Sequence, residues 1–368
     1  MTGRVLTLSL EGHPSSRLRI GQYVPRLRAD GFSVEEVSLD SPKVPPSKLR
    51  RIATALRGAD VVFVQRIASI PLNGLLRASR ARVVYDVDDA LHLVRPGQIP
   101  STRSPGTLKE RLVVGYRAVA RGSRYYGSRK RAIAQITSFA DVVIVGNAFL
   151  YDQLARRSRN ALVLPTCVIA DAKRVKTHAE GSPIRIGWIG LKDNLRELDA
   201  LDPAFRALRA RFGDDVRLSI VSSRPYETSA IGTEFVRWSL ETETESVLRF
   251  DIGIMPLADN PFARGKCALK AIQCMSFGLP VVVSPVGMNI VAVDDGVDGF
   301  FARTCDEWRK RVSELVLDAA LRARIGQHAF EKVQTAYSAE IGYQEVRRIL
   351  ASLTNAVPRG MAASAMKQ

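Results

Sequence analysis

Two lysines four residues apart, Lys266 and Lys270, are the residues whose type and spacing point most directly to chemistry in this sequence. They precede a Gly-Leu-Pro turn and a run of valines at 281–283. If a helix begins near Lys266, both side chains lie on one face of it, where like charges repel by about 0.2–0.5 kcal/mol. An anion between the two ammonium groups would offset this repulsion through charge-assisted hydrogen bonds. The pair therefore predicts an anion-binding site, with a solvated lysine face as the alternative.

A second group of candidate residues lies in "YDVDDALH", which carries Asp86, Asp88, Asp89 and His92. The stretch is predicted to be a strand that runs into a loop, so Asp88 and Asp89 follow the strand. One interpretation is that Asp88 or Asp89 caps the next helix. An Asp-x-Asp run also suits a divalent metal. We predict no metal site, because this run and the lysines fall in different halves of the chain.

The elements that must position these residues follow from apolar patterning. The continuous runs "VVFV" (61–64) and "VVIV" (142–145) are typical of strands that are buried on both faces in a parallel sheet covered by helices. Strands and helical segments alternate in this way in both halves. The pattern predicts an α/β fold with two doubly wound domains, in which ligands bind at the carboxyl ends of the strands.

The predicted domain boundaries follow from the same pass along the chain. Residues 168–183 are polar and lack apolar periodicity, which favours an interdomain linker. We therefore expect an N-terminal domain at 1–167 and a C-terminal domain at 184–340. The last part, 341–368, is predicted to be a helix that crosses back to the first domain, followed by a tail.

Composition limits the classes of protein that fit. The chain has 368 residues, 46% of them hydrophobic, and a net charge of +17. It is therefore globular, with a surface that attracts polyanions, although a GC-rich genome would also raise the arginine content. Four cysteines without metal-ligand spacing indicate reduced core residues. No apolar run approaches the roughly 20 residues of a spanning helix, so we expect a cytoplasmic protein.

One long segment carries a resemblance. Residues 251–302, "DIGIMPLADNPFARGKCALKAIQCMSFGLPVVVSPVGMNIVAVDDGVDGFFA", resemble the donor-binding half of GT-B-type glycosyltransferases, specifically the retaining family 4 (group 1) enzymes. Typical motifs of that family are a Leu-Glu-Ala-Met helix, Gly-x-Pro-Val-Val and Asp-Gly-x-x-Gly. The resemblance implies two Rossmann-like domains that face each other across a cleft. It also implies a nucleotide-diphosphate sugar as co-substrate in the C-terminal domain, an acceptor bound mainly by the N-terminal domain, and no other cofactor.

The chain departs from the family at its charged positions. Gln273 and Gly265 stand where the family has two glutamates, while Leu191 and Glu197 stand where it has the arginine and lysine that hold the diphosphate. We therefore assign the diphosphate, and the charge that develops on the leaving group, to Lys266 and Lys270. The other predicted donor-binding residues come from the matching motifs: Gly190, Lys192, Gln273, Gly287, Met288 and Asn289.

The resemblance assigns the acceptor to the first domain. Asp88 matches the position where the family often has a histidine near the transferred sugar. The resemblance therefore implies that its carboxylate orients the acceptor hydroxyl, accepts its proton or stabilises positive charge at the anomeric carbon. His13, Arg17 and Arg19 lie on the first strand–helix loop and are predicted to contact the acceptor. The basic stretch Arg95–Arg131 suggests an anionic membrane surface at the inner face of the membrane, and hence a lipid-linked or cell-surface acceptor. No nucleic-acid-binding motif accompanies the charge, so we expect no nucleic-acid partner.

Three other interpretations remain open. The missing glutamates would also suit a GT-B protein that has lost catalysis and serves as a sugar-nucleotide sensor or partner protein. An epimerase shares the same shape and would act on the donor alone. A basic nucleic-acid-binding protein is a further alternative, which a gel shift at physiological salt would reveal.

Overall fold

The computed structural model describes residues 3–94, 126–156 and 158–355. The chain divides into two compact units. The first comprises Met1–Thr166 together with Gly342–Gln368, and the second comprises Cys167–Ile341. Each unit contains one six-stranded sheet.

The first unit is built on a parallel sheet with the strand order β2-β1-β3-β4-β5-β6. Its strands are β1 (Arg4–Leu10), β2 (Ser33–Leu39), β3 (Val61–Gln65), β4 (Arg82–Val87), β5 (Val142–Val145) and β6 (Ala161–Val163). Its helices are α1 (Pro14–Arg19), α2 (Val24–Ala29), α3 (Pro46–Leu56), α4 (Ile70–Ala78), α5 (described over 126–139) and α6 (Ala148–Leu150). The predicted runs form β3 and β5, every residue of which is buried, because helices cover both faces of a parallel sheet.

The second unit repeats this architecture with the strand order β12-β11-β10-β7-β8-β9, again with parallel pairing throughout the sheet. Its strands are β7 (Ile184–Ile189), β8 (Val216–Ser222), β9 (Thr233–Arg237), β10 (Ile252–Met255), β11 (Val281–Val283) and β12 (Phe300–Phe301). Its helices are α7 (Asp202–Phe212), α8 (Glu243–Leu248), α9 (Pro261–Arg264), α10 (Leu269–Met275), α11 (Asn289–Ala292), α12 (Cys305–Leu317) and α13 (Ala319–Lys332). A last helix, α14 (Ala339–Thr354), leads from this unit into the first.

Both strand orders contain a switch point. At this point the connections that follow two adjacent strands run toward opposite edges of the sheet. It lies between β1 and β3 in the first unit and between β7 and β10 in the second. Crevices outside the carboxyl ends of the strands at such points are where open α/β sheets bind ligands. The prediction of two doubly wound α/β domains is confirmed for each unit, and the switch points show where to look for sites.

The segment 168–183, which we expected to be a linker, packs on the second unit. Lys176 Nζ lies 2.9 Å from Asp251 Oδ1, and the backbone N–H of Lys176 donates to the carbonyl of Phe277. His178 Nε2 lies 2.8 Å from the carbonyl oxygen of Gly278. Its polar composition therefore reflects hydrogen bonds to the second unit.

Two predictions concern membranes. Of the described helices, none is both long and apolar enough to cross a bilayer. The basic stretch Arg95–Arg131 falls outside the described residues except for its last part, 126–131, which belongs to α5.

Candidate active site

The lysine pair of the second unit converges on a carboxylate. Lys270 Nζ donates to Glu197 Oε2 at 2.7 Å, and Lys266 Nζ donates to Glu197 Oε1. The three side chains are only 12–14% exposed. We call Glu197, Lys266 and Lys270 the Lys–Glu cluster. The anion that both lysines contact in the structure is thus a side chain of the same unit, and the predicted binding of a ligand anion stays a prediction.

The backbone that brings the lysines together differs from the expected one. Helix α10 begins at Leu269, so Lys266 lies before the helix and does not share a helical face with Lys270. The reason is Ala268, whose φ of 52° is left-handed and interrupts the helical path. This conformation costs a non-glycine residue about 1–2 kcal/mol. It turns the chain so that both ammonium groups still reach Glu197.

The cluster lies at the switch point of the second sheet. Glu197 follows β7 in a stretch of two 3₁₀ turns, and the lysines follow β10. Leu195 and Leu198, on either side of Glu197, are buried in the apolar core. These leucines fix the backbone of Glu197, while its side chain reaches the lysines.

Burial and charge act in opposite directions on Glu197. Burial alone would raise the pKa of its carboxyl, but Lys270 and Lys266 hold that pKa below its ordinary value. Glu197 is therefore ionised at neutral pH, and the Lys–Glu cluster keeps one net positive charge. A partly buried net positive charge at this position favours an anionic ligand.

Gly190 and Trp188 shape the space around Lys270. The ammonium of Lys270 lies 4.5 Å from the centroid of the Trp188 ring, which is a cation–π distance. Gly190 directly follows β7, and a Cβ there would lie only 2.9 Å from Lys270 Cε and 2.8 Å from the Trp188 ring. Glycine at this position makes room for the lysine.

The predicted turn after β11 is also at the carboxyl ends of the strands. Gly287 has a left-handed φ of 57°, and a Cβ there would come within 2.7 Å of the Arg264 carbonyl oxygen. Asn289 is buried and donates from Nδ2 to the carbonyl of Ser284 at 2.9 Å. Its Oδ1 is buried without a hydrogen-bond partner among the described residues. Met288 is buried beside it.

The remaining predicted donor-binding residues lie outside the Lys–Glu cluster. Lys192 is exposed on the stretch after β7, and Gln273 is half-buried on α10. The sequence named Lys192 and Gln273 as candidates but did not reveal Glu197 as the partner of the lysines. The only sequence signal for Glu197 was an acidic residue at a position where the resemblance requires a lysine.

A network of arginines and aspartates lies at the carboxyl ends of β3 and β4 in the first unit. Arg19 donates from Nε and Nη2 to the carboxylate of Asp86, and the Nη2–Oδ2 distance is 2.6 Å. Its Nη1 donates to the carbonyl of Leu164, also at 2.6 Å. Both side chains of the ion pair are 1% exposed. The expectation that Arg19 contacts the acceptor is therefore withdrawn, because its guanidinium is buried in an internal ion pair.

Arg66 is the member of this network that the sequence did not reveal. Its Nη1 lies 2.8 Å from Asp88 Oδ1, and its Nη2 lies 3.4 Å from Asp89 Oδ2. Its backbone is left-handed, with a φ of 63°. Strain of this kind at a non-glycine residue is often found at functional sites. Burial would raise the pKa of Asp88, but Arg66 holds it below its ordinary value, so Asp88 is ionised at neutral pH.

The predicted histidine, His13, lies near Arg66, Asp88 and Asp89. His13 accepts a hydrogen bond at Nδ1 from the backbone N–H of Ser15 and so caps α1. Burial, with a smaller contribution from Arg66, lowers the pKa of His13 to about 4. Arg17 is half-buried on α1. His13 is therefore neutral at pH 7 and available for hydrogen bonding to an uncharged group.

His92 is a further buried histidine after β4. Neither ring nitrogen has a hydrogen-bond partner among the described residues, and burial lowers its pKa to about 4. No group of three or more His, Cys, Asp or Glu side chains in the described ranges is arranged to hold a metal ion. Asp86 and Asp88, the predicted Asp-x-Asp pair, are instead engaged by arginines.

Comparison with known proteins gives a family match in the second unit. Residues 183–318 match the family model Glycosyl transferases group 1. This range includes the Lys–Glu cluster and the turn after β11. A search of curated proteins gave no match.

Comparison with solved structures extends over both units. Sucrose-phosphate synthase from Thermosynechococcus elongatus is similar, with a TM-score of 0.65, 15% identity, and coverage of 95% of this chain and 99% of that one. The Anabaena protein HepE, solved with UDP and glucose, gives a TM-score of 0.62 at 14% identity, covering 95% of this chain and 100% of that one. A glycosyltransferase from Rickettsia africae gives a TM-score of 0.63 at 11% identity, with coverage of 96% and 99%. At these identities the likeness establishes the fold. The family match thus covers 183–318 of the second unit, and the solved structures show that the chain has the GT-B fold.

Proposed function

We propose that this enzyme transfers a sugar from a nucleotide-diphosphate donor to an acceptor hydroxyl, with retention of anomeric configuration and without a metal ion. The observation that carries the proposal is the Lys–Glu cluster at the switch point between β7 and β10. Two partly buried ammonium groups at this position can replace the basic pair that the family has after the first strand of this domain. HepE, a structural neighbour, was solved with UDP and glucose, which supports a nucleotide-sugar donor here.

In the proposed reaction, the lysines act on the leaving group. Cleavage of the anomeric C–O bond leaves both bonding electrons on the diphosphate oxygen. Lys266 and Lys270 stabilise this negative charge through charge-assisted hydrogen bonds. The acceptor oxygen forms the new bond to the anomeric carbon on the same face. Its proton passes to the leaving phosphate, which is why no separate side chain is assigned as the base.

The turn after β11 is proposed to line the donor site. The buried Oδ1 of Asn289 has no hydrogen-bond partner among the described residues. It can therefore accept a hydrogen bond from a hydroxyl group of the nucleotide sugar. Gly287, whose left-handed φ shapes this turn, is also a donor-binding candidate. Gly190, Lys192, Gln273 and Met288 are retained as donor-binding candidates.

The first unit is proposed to hold the acceptor. Asp88 is ionised but paired with Arg66, so it is a weak proton acceptor. We assign it a positioning role, in which it accepts a hydrogen bond from the acceptor hydroxyl. His13 and Arg17 are the other acceptor candidates. A lipid-linked saccharide or the precursor of a cell-surface polymer fits the net charge of +17, and a small natural product is the other acceptor class.

A second candidate function is a non-catalytic sugar-nucleotide-binding protein. Gly265 and Gln273 stand where the family has glutamates. Glu197 already forms ion pairs with Lys266 and Lys270. Such a protein would bind nucleotides without turnover.

The proposal is tested by a thermal-shift screen with UDP, GDP and dTDP and with their sugar derivatives, followed by assays of sugar transfer and donor hydrolysis. We expect one nucleoside diphosphate to raise the melting temperature and its sugar derivative to be turned over. Binding without turnover on any acceptor pool would favour the second function. A change in the donor sugar without transfer would indicate an epimerase. No binding of any nucleotide would refute both nucleotide-dependent functions.

A further inference from the structure

The Lys–Glu cluster has an unusual charge arrangement for a site that must bind a diphosphate. Each oxygen of the Glu197 carboxylate accepts from a different lysine, so one side chain engages both ammonium groups at once. The cluster is only 12–14% exposed, so these contacts are screened less than surface ion pairs are. An incoming diphosphate would meet lysines that already have an anionic partner.

Simultaneous binding of the diphosphate and the carboxylate is unfavourable. Two like charges 4 Å apart repel by about 4 kcal/mol at an effective dielectric constant of 20. A diphosphate that contacts both ammonium groups would lie within this range of a carboxylate held between them. Exchange of one anion for the other avoids the repulsion.

The exchange would involve the side chain of Glu197 rather than its backbone. Leu195 and Leu198 anchor the backbone on both sides of it in the apolar core. Displacement from the lysines would therefore occur by rotation about the side-chain bonds of Glu197. Lys270 stays close to its place without Glu197, since its ammonium also lies over the Trp188 ring.

We propose that Glu197 is an exchangeable internal anion, which offsets one of the two positive charges of the lysine pair in the empty site, is displaced by the donor diphosphate, and returns to promote release of the nucleoside diphosphate product. The proposal rests on the proposed function, because it requires that the lysines bind the diphosphate. If Glu197 competes with the diphosphate for the lysines, its carboxylate lowers the affinity for the nucleotide, even though Glu197 itself lies in the binding site.

The test is the variant Glu197→Gln, which keeps the size of the side chain and removes its charge. It is titrated calorimetrically with UDP, and with GDP and dTDP in parallel, beside the wild-type enzyme. We expect the variant to bind the preferred nucleotide at least tenfold more tightly. We also expect its melting temperature without ligand to fall, because two partly buried ammonium groups lose their counterion. A merely structural role would lower both the stability and the affinity.

Two further variants complete the design. Glu197→Asp keeps the charge but is one methylene shorter, so we expect an affinity between those of the wild type and Glu197→Gln. Glu234→Gln is the matched control, since Glu234 pairs with Arg185 at 2.9 Å elsewhere in the same unit. Its nucleotide affinity should equal that of the wild type.

The outcomes separate this inference from the proposed function. If the wild type binds a nucleotide in a lysine-dependent way, but Glu197→Gln binds it equally well or more weakly, the exchange proposal is overturned and the proposed function stands. If neither the wild type nor Glu197→Gln binds any of the three nucleotides, the proposed function itself fails.

Discussion

At the scale of single residues, charged side chains in both units are held by partners distant in sequence. Glu197 is separated from Lys266 and Lys270 by 69 and 73 positions, and Arg19 is separated from Asp86 by 67. The two arrangements differ in burial, since the cluster is partly exposed while the Arg19–Asp86 pair is 1% exposed. The Lys–Glu cluster is exposed enough for a ligand to replace its anion. The Arg19–Asp86 pair is buried, so its expected contribution is to the stability of the fold.

The buried pair leads to a prediction about stability. Arg19→Ala leaves the Asp86 carboxylate buried without its cation, which should lower the free energy of unfolding by about 3–5 kcal/mol. The control is Arg28→Ala, which removes a surface pair with Glu36 and should cost less than about 1 kcal/mol. Urea denaturation measures both. An unchanged stability for Arg19→Ala, together with a higher KM for the acceptor, would restore Arg19 to the acceptor site.

The buried histidines lead to a prediction about pH. Burial lowers the pKa of His92 to about 4, from an ordinary value of 6.5. Between these values the unfolded state binds more protons than the folded state, so stability rises with pH across this window, by up to roughly 3 kcal/mol. The lowered carboxyl pKa of Glu197 has its effect below its ordinary value of 4.5. Between pH 4.5 and 6.5, the free energy of unfolding of His92→Gln, measured by urea denaturation, should therefore rise less steeply with pH than that of the wild type. Equal slopes would show that His92 titrates normally.

At the scale of single elements, the sequence predicted the strands better than the start of one helix. The runs at 61–64 and 142–145 are apolar throughout, so their burial in a parallel sheet follows from composition. The helix expected near Lys266 begins instead at Leu269, after the left-handed Ala268. Alanine has the highest helix propensity, so nothing at that position signals a break. The surrounding tertiary structure overrides the local preference.

The strand end before the Lys–Glu cluster gives a prediction at this scale. Gly190→Ala places a Cβ against Lys270 and Trp188, which should destabilise the protein by about 1–3 kcal/mol. It should also weaken UDP binding about tenfold or more, because Lys270 would lose a charged hydrogen bond. The control is Gly74→Ala within α4, where an added Cβ would meet no atom within 4 Å. This substitution should stabilise the helix by about 0.5–1 kcal/mol. Wild-type affinity in Gly190→Ala would remove Gly190 from the site.

At the scale of the whole molecule, the chain forms two units of the same architecture, and its last helix belongs mainly to the first. The two doubly wound folds followed from the alternation of strands and helices. The placement of 168–183 did not, because its hydrogen bonds reach residues such as Gly278, which lies 100 positions away from His178. Polar composition alone does not distinguish a linker from a segment whose polar groups are paired.

The last helix gives a prediction about the independence of the units. Tyr343 is buried in the first unit, its hydroxyl donates to Asp30 at 2.6 Å, and its ring lies 3.8 Å from the Arg26 guanidinium. Tyr343→Ala should therefore cost about 3–5 kcal/mol of stability. Ile341→Ala, at a 38% exposed position of the same helix, should cost little. Calorimetric titration of folded Tyr343→Ala with UDP should give the wild-type affinity, whereas a large loss would show that the second unit depends on this helix.

Binding of the donor diphosphate by Lys266 and Lys270 can be measured by calorimetric titration. The wild type, Lys266→Ala and Lys270→Ala are titrated with UDP and with uridine, or with the preferred nucleotide and its nucleoside. We predict that each substitution weakens binding of the nucleotide by about 1.5–3 kcal/mol, as expected for loss of a charged hydrogen bond, and leaves the nucleoside unaffected. Equal losses for nucleotide and nucleoside, or no loss for either, would contradict the claim.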